Sequence, residues 1–351
     1  MRRAVHGFAT SGTWLNIARR CGMIVHEVAA ALPLDLARRL RTPRGAGMQI
    51  DTGDCCDPAA RSVALYVHYA ASGQISAMVL RQLRIIAGAG FAIVFISNAG
   101  DIPEEQWQGV RAEVALAIRR PNFGLDFGAW RDAMPEVQRR WPAIDELMLA
   151  NDSVLGPIHA LEPVLETMRT GGTGLFGLTE SVQGGPHLQS YMLLARGPDA
   201  VADVMRFLRR LYVSHSKWLL IQFSELRLAR WMRRRRHRVA AVFGYNRVVR
   251  AAVADPLQQQ RLMATQPALK SLDQLAEDSK VAMLYQWPVN PTRHLWHILA
   301  TRFAYPFVKT DLVLRGLSGH PDLDRWEEVV PPDAPCPLPL LRAHLDLLAG
   351  N

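Results

Sequence analysis

From residue 62 the chain alternates short, unbroken apolar runs with longer stretches whose apolar residues recur every three or four positions. Residues 63–68 are β-prone throughout and read as a buried strand. Ile75, Val79, Leu83 and Ile86 then share one helical face, with Gly88 and Gly90 placed to end it. Residues 91–96 predict a second strand ending in Ser97 and Asn98. A helix capped by Asp101 is expected next, with Trp107, Val110, Val114 and Ile118 on its buried side. Further strands are predicted at 147–150, 174–178, 188–194 and 239–243. Helices are expected from near Phe127, over 161–168 and 199–211, and over 218–236 with a break near Ser224. This alternation predicts an α/β fold: a mostly parallel sheet with right-handed crossovers and helices on its flanks.

The rest of the chain divides around that block. Residues 1–60 read as a basic helical appendage and linker, 61–250 as the main domain, and 251–351 as a helical extension broken by prolines. In the appendage, 14–34 is helical in pattern, with Arg19 and Arg20 inside and Arg38, Arg39 and Arg41 beyond. It either packs on the main domain or lies, basic and amphipathic, on an anionic membrane face. Pro43, Gly45, Gly47, Gly53 and Pro58 mark 42–60 as the linker. No repeat or low-complexity tract interrupts the pattern.

With 49% apolar residues, 21% charged and a net charge of +9, the chain is ordinary in its core but basic on its surface. That excess calls for an anionic partner such as nucleic acid, lipid headgroups or a nucleotide diphosphate. No segment approaches the ~18 uninterrupted apolar residues of a membrane span, and the start of the chain lacks the apolar centre of a signal peptide. Cys21, Cys55, Cys56 and Cys336 form no C-x-x-C pair, so a reducing compartment without structural metal is expected. A cytoplasmic location follows as an expectation.

The chemistry concentrates at strand ends. The run 147–150 delivers Asn151, Asp152 and Ser153 to the carboxyl edge of the sheet, where open α/β folds bind ligands. An acid between an amide and a hydroxyl offers oxygen ligands to a hard cation or acceptors to sugar hydroxyls, and equally makes an ordinary Asx turn before Gly156 and Pro157. Upstream, Asn122 and Asp126 stand before a helix, with Gly124 and Gly128 positioned for close backbone approach. Asp126 either caps that helix or binds ribose hydroxyls. His68 ends the first strand, as a structural histidine or as a base or diphosphate contact. On the strand beginning at His187, alternation puts His187, Gln189 and Tyr191 on one face and Leu188, Ser190 and Met192 on the other.

Taken in order, the segments 121–130 (PNFGLDFGAW), 150–157 (ANDSVLGP), 174–181 with 187–193 (HLQSYML), and 306–309 (PFVK) resemble the rhamnan synthesis protein F family of bacterial glycosyltransferases. The resemblance covers 62–330. It implies a GT-A-like, Rossmann-related nucleotide-sugar fold. It also implies transfer of a sugar, foremost rhamnose from a dTDP-activated donor, to a growing surface polysaccharide of rhamnan, O-antigen or capsule type. The implied acceptor is a lipid-linked glycan, met at the cytoplasmic face of the inner membrane by a peripherally attached protein.

Where such enzymes carry Asp-x-Asp for a metal, Asp152 stands alone, so Mg²⁺ or Mn²⁺ dependence is left open. His68, Asn122, Asp126, Asn151, Ser153 and Gln189 are the implied donor contacts, and Lys309 a further phosphate contact. A base is required for an inverting transfer. Glu225, opening a helical pattern, is the first candidate, ahead of Glu180, Asp152 and His187. Its ordinary alternative is pairing with Arg227 or Arg230. The arginine-rich run 233–238 is either a solvated helix end or a contact for anionic lipid. Without a stacking platform or a helix-turn-helix it does not indicate nucleic acid. Reduced acidic content also leaves room for a non-catalytic scaffold of polysaccharide assembly.

Overall fold

A computed structural model describes residues 13–41, 45–316 and 323–350. Arg2 and Arg3, Thr42 and Pro43, and the side chains of Arg19, Arg20, Cys21 and Arg39 lie outside the described residues. In chain order the strands are β1 (Gln49–Thr52), β2 (Ser62–His68), β3 (Ala92–Ser97), β4 (Leu116–Arg119), β5 (Glu146–Asn151), β6 (Val154–Leu155), β7 (Gly174–Ser181), β8 (His187–Leu188), β9 (Met192–Arg196), β10 (Arg238–Phe243) and β11 (Val308–Lys309). A nine-stranded sheet runs β1-β4-β3-β2-β5-β9-β7-β10 with β8 on β7, and β6 pairs with β11 in a second, two-stranded sheet. Strands β2, β3, β4 and β5 are parallel, as are β7 and β10. The reversed β9 lies between β5 and β7, so those two again point the same way. The sheet is mostly parallel and flanked by helices, as the alternation predicts.

The unbroken apolar strands follow from burial on both faces. Alternate residues of β2 enter different cores: Ala64 and Tyr66 one, Val63, Leu65 and Val67 the other. Helices Leu125–Arg140 and Pro198–Arg210 cover the second core through Trp130, Met134, Val137, Val201, Val204 and Leu208. The first is closed by Met78, Val79 and Leu83 of Ala77–Gly88, together with Trp296, Leu299, Phe307, Leu312 and Leu341 from the last sixty residues.

Three details differ from expectation. The helix after Asp101 runs only Glu104–Arg111, without a side-chain cap, and Val114 and Ile118 belong to the turn and strand β4 that follow. Their helical spacing coincides with a buried run, Val-Ala-Leu-Ala-Ile, that pairs with β3 instead. Part of the linker at 42–60 is strand β1, antiparallel to β4; four residues reading QIDT carry no apolar signal and are identified only by their partner. The predicted strand 188–194 is two, β8 and β9, broken by a turn at Ser190 and Tyr191.

Candidate active site

The carboxyl ends of β2, β5 and β7 open on a cavity of about 910 Å³ whose wall includes Asp126, Asn151, Asp152, Ser153, His187, Gln189, Glu225 and Lys309. Five segments far apart in sequence contribute these groups, and hydrogen bonds join several of them. The Asn151 amide donates to Asp126 Oδ2 at 2.7 Å, and its Oδ1 accepts from the Ser153 hydroxyl at 2.6 Å and the Ser153 N–H at 3.1 Å. Lys309 Nζ donates to Ser153 Oγ at 3.0 Å and stands 4.6 Å from the centre of the Tyr191 ring. The Asx turn is therefore made, and the same residues also face the cavity.

Asp152 is held differently: its Oδ2 accepts the Tyr69 N–H at 2.8 Å, and its own N–H bonds the Val67 carbonyl at 3.1 Å. Burial pushes its carboxyl up to about 8, and the neighbouring Asp126 adds to this against the Tyr69 hydrogen bond. Asp126 is raised to about 6, again chiefly by burial, with Lys309 pulling it down and Glu225 pushing it up. An ordinary carboxyl titrates near 4. Folding therefore takes up a proton at Asp152 between about pH 4 and pH 8, and the protein loses stability as pH rises through that window. Asn at this position carries no such penalty. The melting temperature of Asp152→Asn is expected to match the parent at pH 4 and exceed it at pH 8. A difference constant across pH would contradict this.

Glu225 opens helix Glu225–Arg234, and its Oε1 accepts the Ser190 N–H at 2.9 Å rather than pairing with Arg227, which packs over Phe223. Ser190 joins His187, Gln189 and Tyr191 in the cavity wall, because the turn there breaks the alternation that separates them on paper. His187 Nδ1 bonds the Gly185 carbonyl at 2.8 Å. The Gln189 amide is occupied by the protein: Oε1 accepts from Thr179, and Nε2 faces Asn290 Oδ1 at 3.3 Å and Thr292 Oγ1 at 3.2 Å. Glu180 lies outside the cavity wall and accepts the Tyr245 N–H.

Two donor candidates also lie outside the wall. His68 is 2% exposed, stacks on Phe95 and bonds Ser97 Oγ; burial lowers its imidazole to about 4, so it is neutral at pH 7. Its neighbour Tyr69 is the residue that reaches the cavity. Asn122 is exposed. Gly124 and Gly128 serve packing rather than a ligand. A Cβ at Gly124 would stand 2.0 Å from Val213 Cγ1, and one at Gly128 2.3 Å from the Phe123 carbonyl oxygen. Asp126 does not cap its helix, whose N-cap is Gly124 without a side-chain bond.

Sequence reasoning missed Tyr69, Lys217, Thr292, Arg293, Thr310 and Asp311 in the wall. Position at a strand end marks Tyr69. The others lie in short segments without periodicity and are brought in by tertiary packing. Arg120 was also missed. It is 4% exposed and fixes the loop before Asp126 through Asp132 (2.9 Å), Asn98 (2.5 Å) and the Phe123 carbonyl (2.7 Å).

Residues 93–196 match the family model of rhamnan synthesis protein F. Asp126, Asn151, Asp152, Ser153, His187 and Gln189 fall inside the match; Glu225 and Lys309 fall beyond it. The chain is 27% identical over 203 residues to the uncharacterized protein y4gN of Sinorhizobium fredii, covering 55% of this chain and 51% of that protein. It thus spans about half the length of this curated relative. Among solved structures, a mannosyltransferase from Pyrobaculum calidifontis in complex with GDP-Man and Mn²⁺ aligns over 93% of this chain and 96% of its own, at 12% identity and a TM-score of 0.35.

Proposed function

We propose that the chain is a GT-A-type glycosyltransferase of bacterial surface-polysaccharide synthesis, using a nucleotide-sugar donor, with rhamnose on dTDP as the first donor to test. The observation that carries this reading is the single cavity wall shared by Asp126, Asn151, Asp152 and Ser153 with Glu225, at the edge where parallel strands end. The family match over the segment holding the first four supports it. Glu225 takes the acceptor hydroxyl proton as that oxygen bonds the anomeric carbon and the nucleoside diphosphate leaves.

Asp126 and Asp152 suit Mg²⁺ or Mn²⁺, which are commonly bound by one or two carboxylates together with substrate phosphates. Among the described residues no group of three His, Cys, Asp or Glu side chains gathers, so such an ion would bind together with the donor. The scaffold alternative rests on one acid where a pair is expected, at both the metal and the base positions; at the first of these Asp126 brings a second carboxyl into the same wall, and at the second Glu225 stands alone. Incubation of the purified protein with a panel of nucleotide sugars is expected to release nucleoside diphosphate from one of them, faster with acceptor. If every donor stays intact and none raises the melting temperature, the enzyme reading fails.

The acceptor we propose is lipid-linked, met at an anionic membrane surface through helix Thr13–Arg41. Asp35 anchors that helix to Tyr212 and His215, and Glu27 to Ser216, beside helix Lys217–Phe223, which lines the cavity. Val25 is 67% exposed, Leu34 58% and Leu40 87%. Of the run 233–238, Arg238 starts β10 opposite Gly174, about 20 Å by strand length from the carboxyl end of that strand, whereas Arg233 donates to the Pro186 carbonyl, next to His187 of the cavity wall. Some are engaged: Arg235 and His237 bond Asp203. Salt-reversible binding to anionic vesicles is expected, weakened by Leu34→Gln with Leu40→Gln and little changed by Arg234→Gln. Equal binding to neutral vesicles would refute electrostatic attachment. Among the described residues no helix is long and apolar enough to cross a membrane.

A further inference from the structure

The chain's positive excess is confined to one stretch. Residues 198–250 hold thirteen Lys and Arg against three Asp and Glu, and the remainder, with 28 against 29, is close to neutral. Within that stretch helix Glu225–Arg234 buries Leu228, Ala229 and Met232, so Arg227, Arg230 and Arg234 share its opposite, exposed face. Asp203 takes up Arg206, Arg235 and His237. Among the described residues the three stripe arginines have no ion pair, and Arg227 rests on the Phe223 ring. Like charges three and four residues apart on a helix repel one another, a cost that an anion lying along them removes.

The surroundings of the stripe select the anion. Its helix starts in the cavity wall with Glu225 and Leu226. The loop 183–187, which brings Gln183, Gly184 and His187 to the same wall, follows the helix outward, its Pro186 carbonyl accepting from Arg233 at 3.3 Å. The stripe therefore leads away from the cavity, advancing about 4.5 and then 6 Å between arginines, close to the length of one pyranose unit. A lipid surface fits it poorly. Residues 198–250 expose no large apolar side chain of the kind an interfacial helix inserts, whereas helix Thr13–Arg41 exposes Val25, Leu34 and Leu40. Nucleic acid fits no better, because Arg235 covers Trp231 and Arg227 covers Phe223, so neither ring offers that face to a base. We infer that Arg227, Arg230 and Arg234 form a track for the growing acceptor, an acidic polysaccharide with carboxylates on its sugar units, whose end enters the cavity at Glu225. The inference rests on the glycosyltransferase reading and names the acceptor class which that reading leaves open. Guanidinium groups hold carboxylates through paired hydrogen bonds, so the track fixes the chain by its charges and leaves the terminal hydroxyl to the base.

The test is calorimetric titration, at low salt and without donor, of a size-defined oligogalacturonate into the full chain and two double variants. The same oligomer fully methyl-esterified, single-stranded DNA and phosphatidylglycerol vesicles are the comparison ligands. Arg230→Gln with Arg234→Gln cuts the stripe, and Lys270→Gln with Arg302→Gln removes equal charge from exposed positions elsewhere. The parent protein is expected to bind the oligogalacturonate, more weakly as salt is added, and not to bind the neutral ester. Affinity should fall about tenfold in the stripe variant and change little in the control. The stripe variant should melt no lower than the parent, because it loses repulsion rather than a partner. Parental affinity in the stripe variant, equal binding of the ester, or no binding of the oligogalacturonate overturns the inference. Tighter binding of DNA or of vesicles through the same two arginines also overturns it and reassigns the surface. No donor is present in any of these titrations, so each outcome leaves the enzyme reading to be decided by the donor panel.

Discussion

Glu225→Gln is expected to slow sugar transfer about 10² to 10⁴-fold while leaving donor affinity within about twofold, the range by which a positioned general base accelerates a reaction. The substitution is conservative where folding is concerned. Gln keeps an oxygen at the place where Glu225 accepts the Ser190 N–H, so the break between helices Lys217–Phe223 and Glu225–Arg234 keeps its tether. What it removes is the ability to take a proton. The rival base, His187, has Nδ1 committed to the Gly185 carbonyl. His187→Gln is accordingly expected to cost less than Glu225→Gln. Asp152→Asn behaves differently again, because it acts on the donor rather than the acceptor and so raises the donor KM. Steady-state rates with the donor found by panel screening, read separately for kcat and KM, distinguish the three. A Glu225→Gln enzyme with near-parental kcat would remove this residue from the chemistry.

How far this site is legible before folding depends on the kind of signal each part leaves. Strands β2, β3, β5 and β7 are buried on both faces, so each leaves an apolar run that announces itself; β10, half-buried at the sheet edge, leaves a similar run. Such a run ends by exposing polar residues at a known edge, which is why Asn151, Asp152 and Ser153 can be placed from the sequence. Direction is not encoded in the run, and the reversal of β9 between β5 and β7 follows from pairing alone. Strands of two to four residues, such as β1, β6, β8 and β11, leave no pattern, yet β6 and β11 bring Lys309 to Ser153. The break at Ser190 illustrates the same limit. Period-two alternation assigns His187 and Ser190 to opposite faces, and only the carboxyl of Glu225, thirty-five residues on, turns the chain so that both line one cavity. Glycine is legible as permissive but not as to purpose: Gly124 and Gly128 make room for Val213 and the Phe123 carbonyl.

The largest stability effect is expected at Arg120, whose side chain carries no sequence signal beyond being one arginine among many. The guanidinium is buried, its proton affinity lowered by burial and restored in part by Asp132. Its three acceptors, Asp132, Asn98 Oδ1 and the Phe123 carbonyl, join the end of β3 to the loop that carries Gly124 and leads into the helix holding Asp126. Removing one member of a buried ion pair typically costs about 3–5 kcal/mol, mostly as the desolvation of the group left behind. Here Asp132 keeps Arg131 at 2.7 Å, so Arg120→Met should fall at the lower end, about 3 kcal/mol. The same cut frees the backbone at Gly124 (φ 77°) and Leu125 (φ 50°), a left-handed pair that a non-glycine residue holds only under constraint. Asp126 sits directly after that pair, so donor affinity should fall along with stability. Urea unfolding of Arg120→Met, Asp132→Ala and the double variant would measure this. A coupling energy of about 1 kcal/mol or more between the two sites is expected. A single variant within about 0.5 kcal/mol of the parent would mean that the buried guanidinium does not hold the loop.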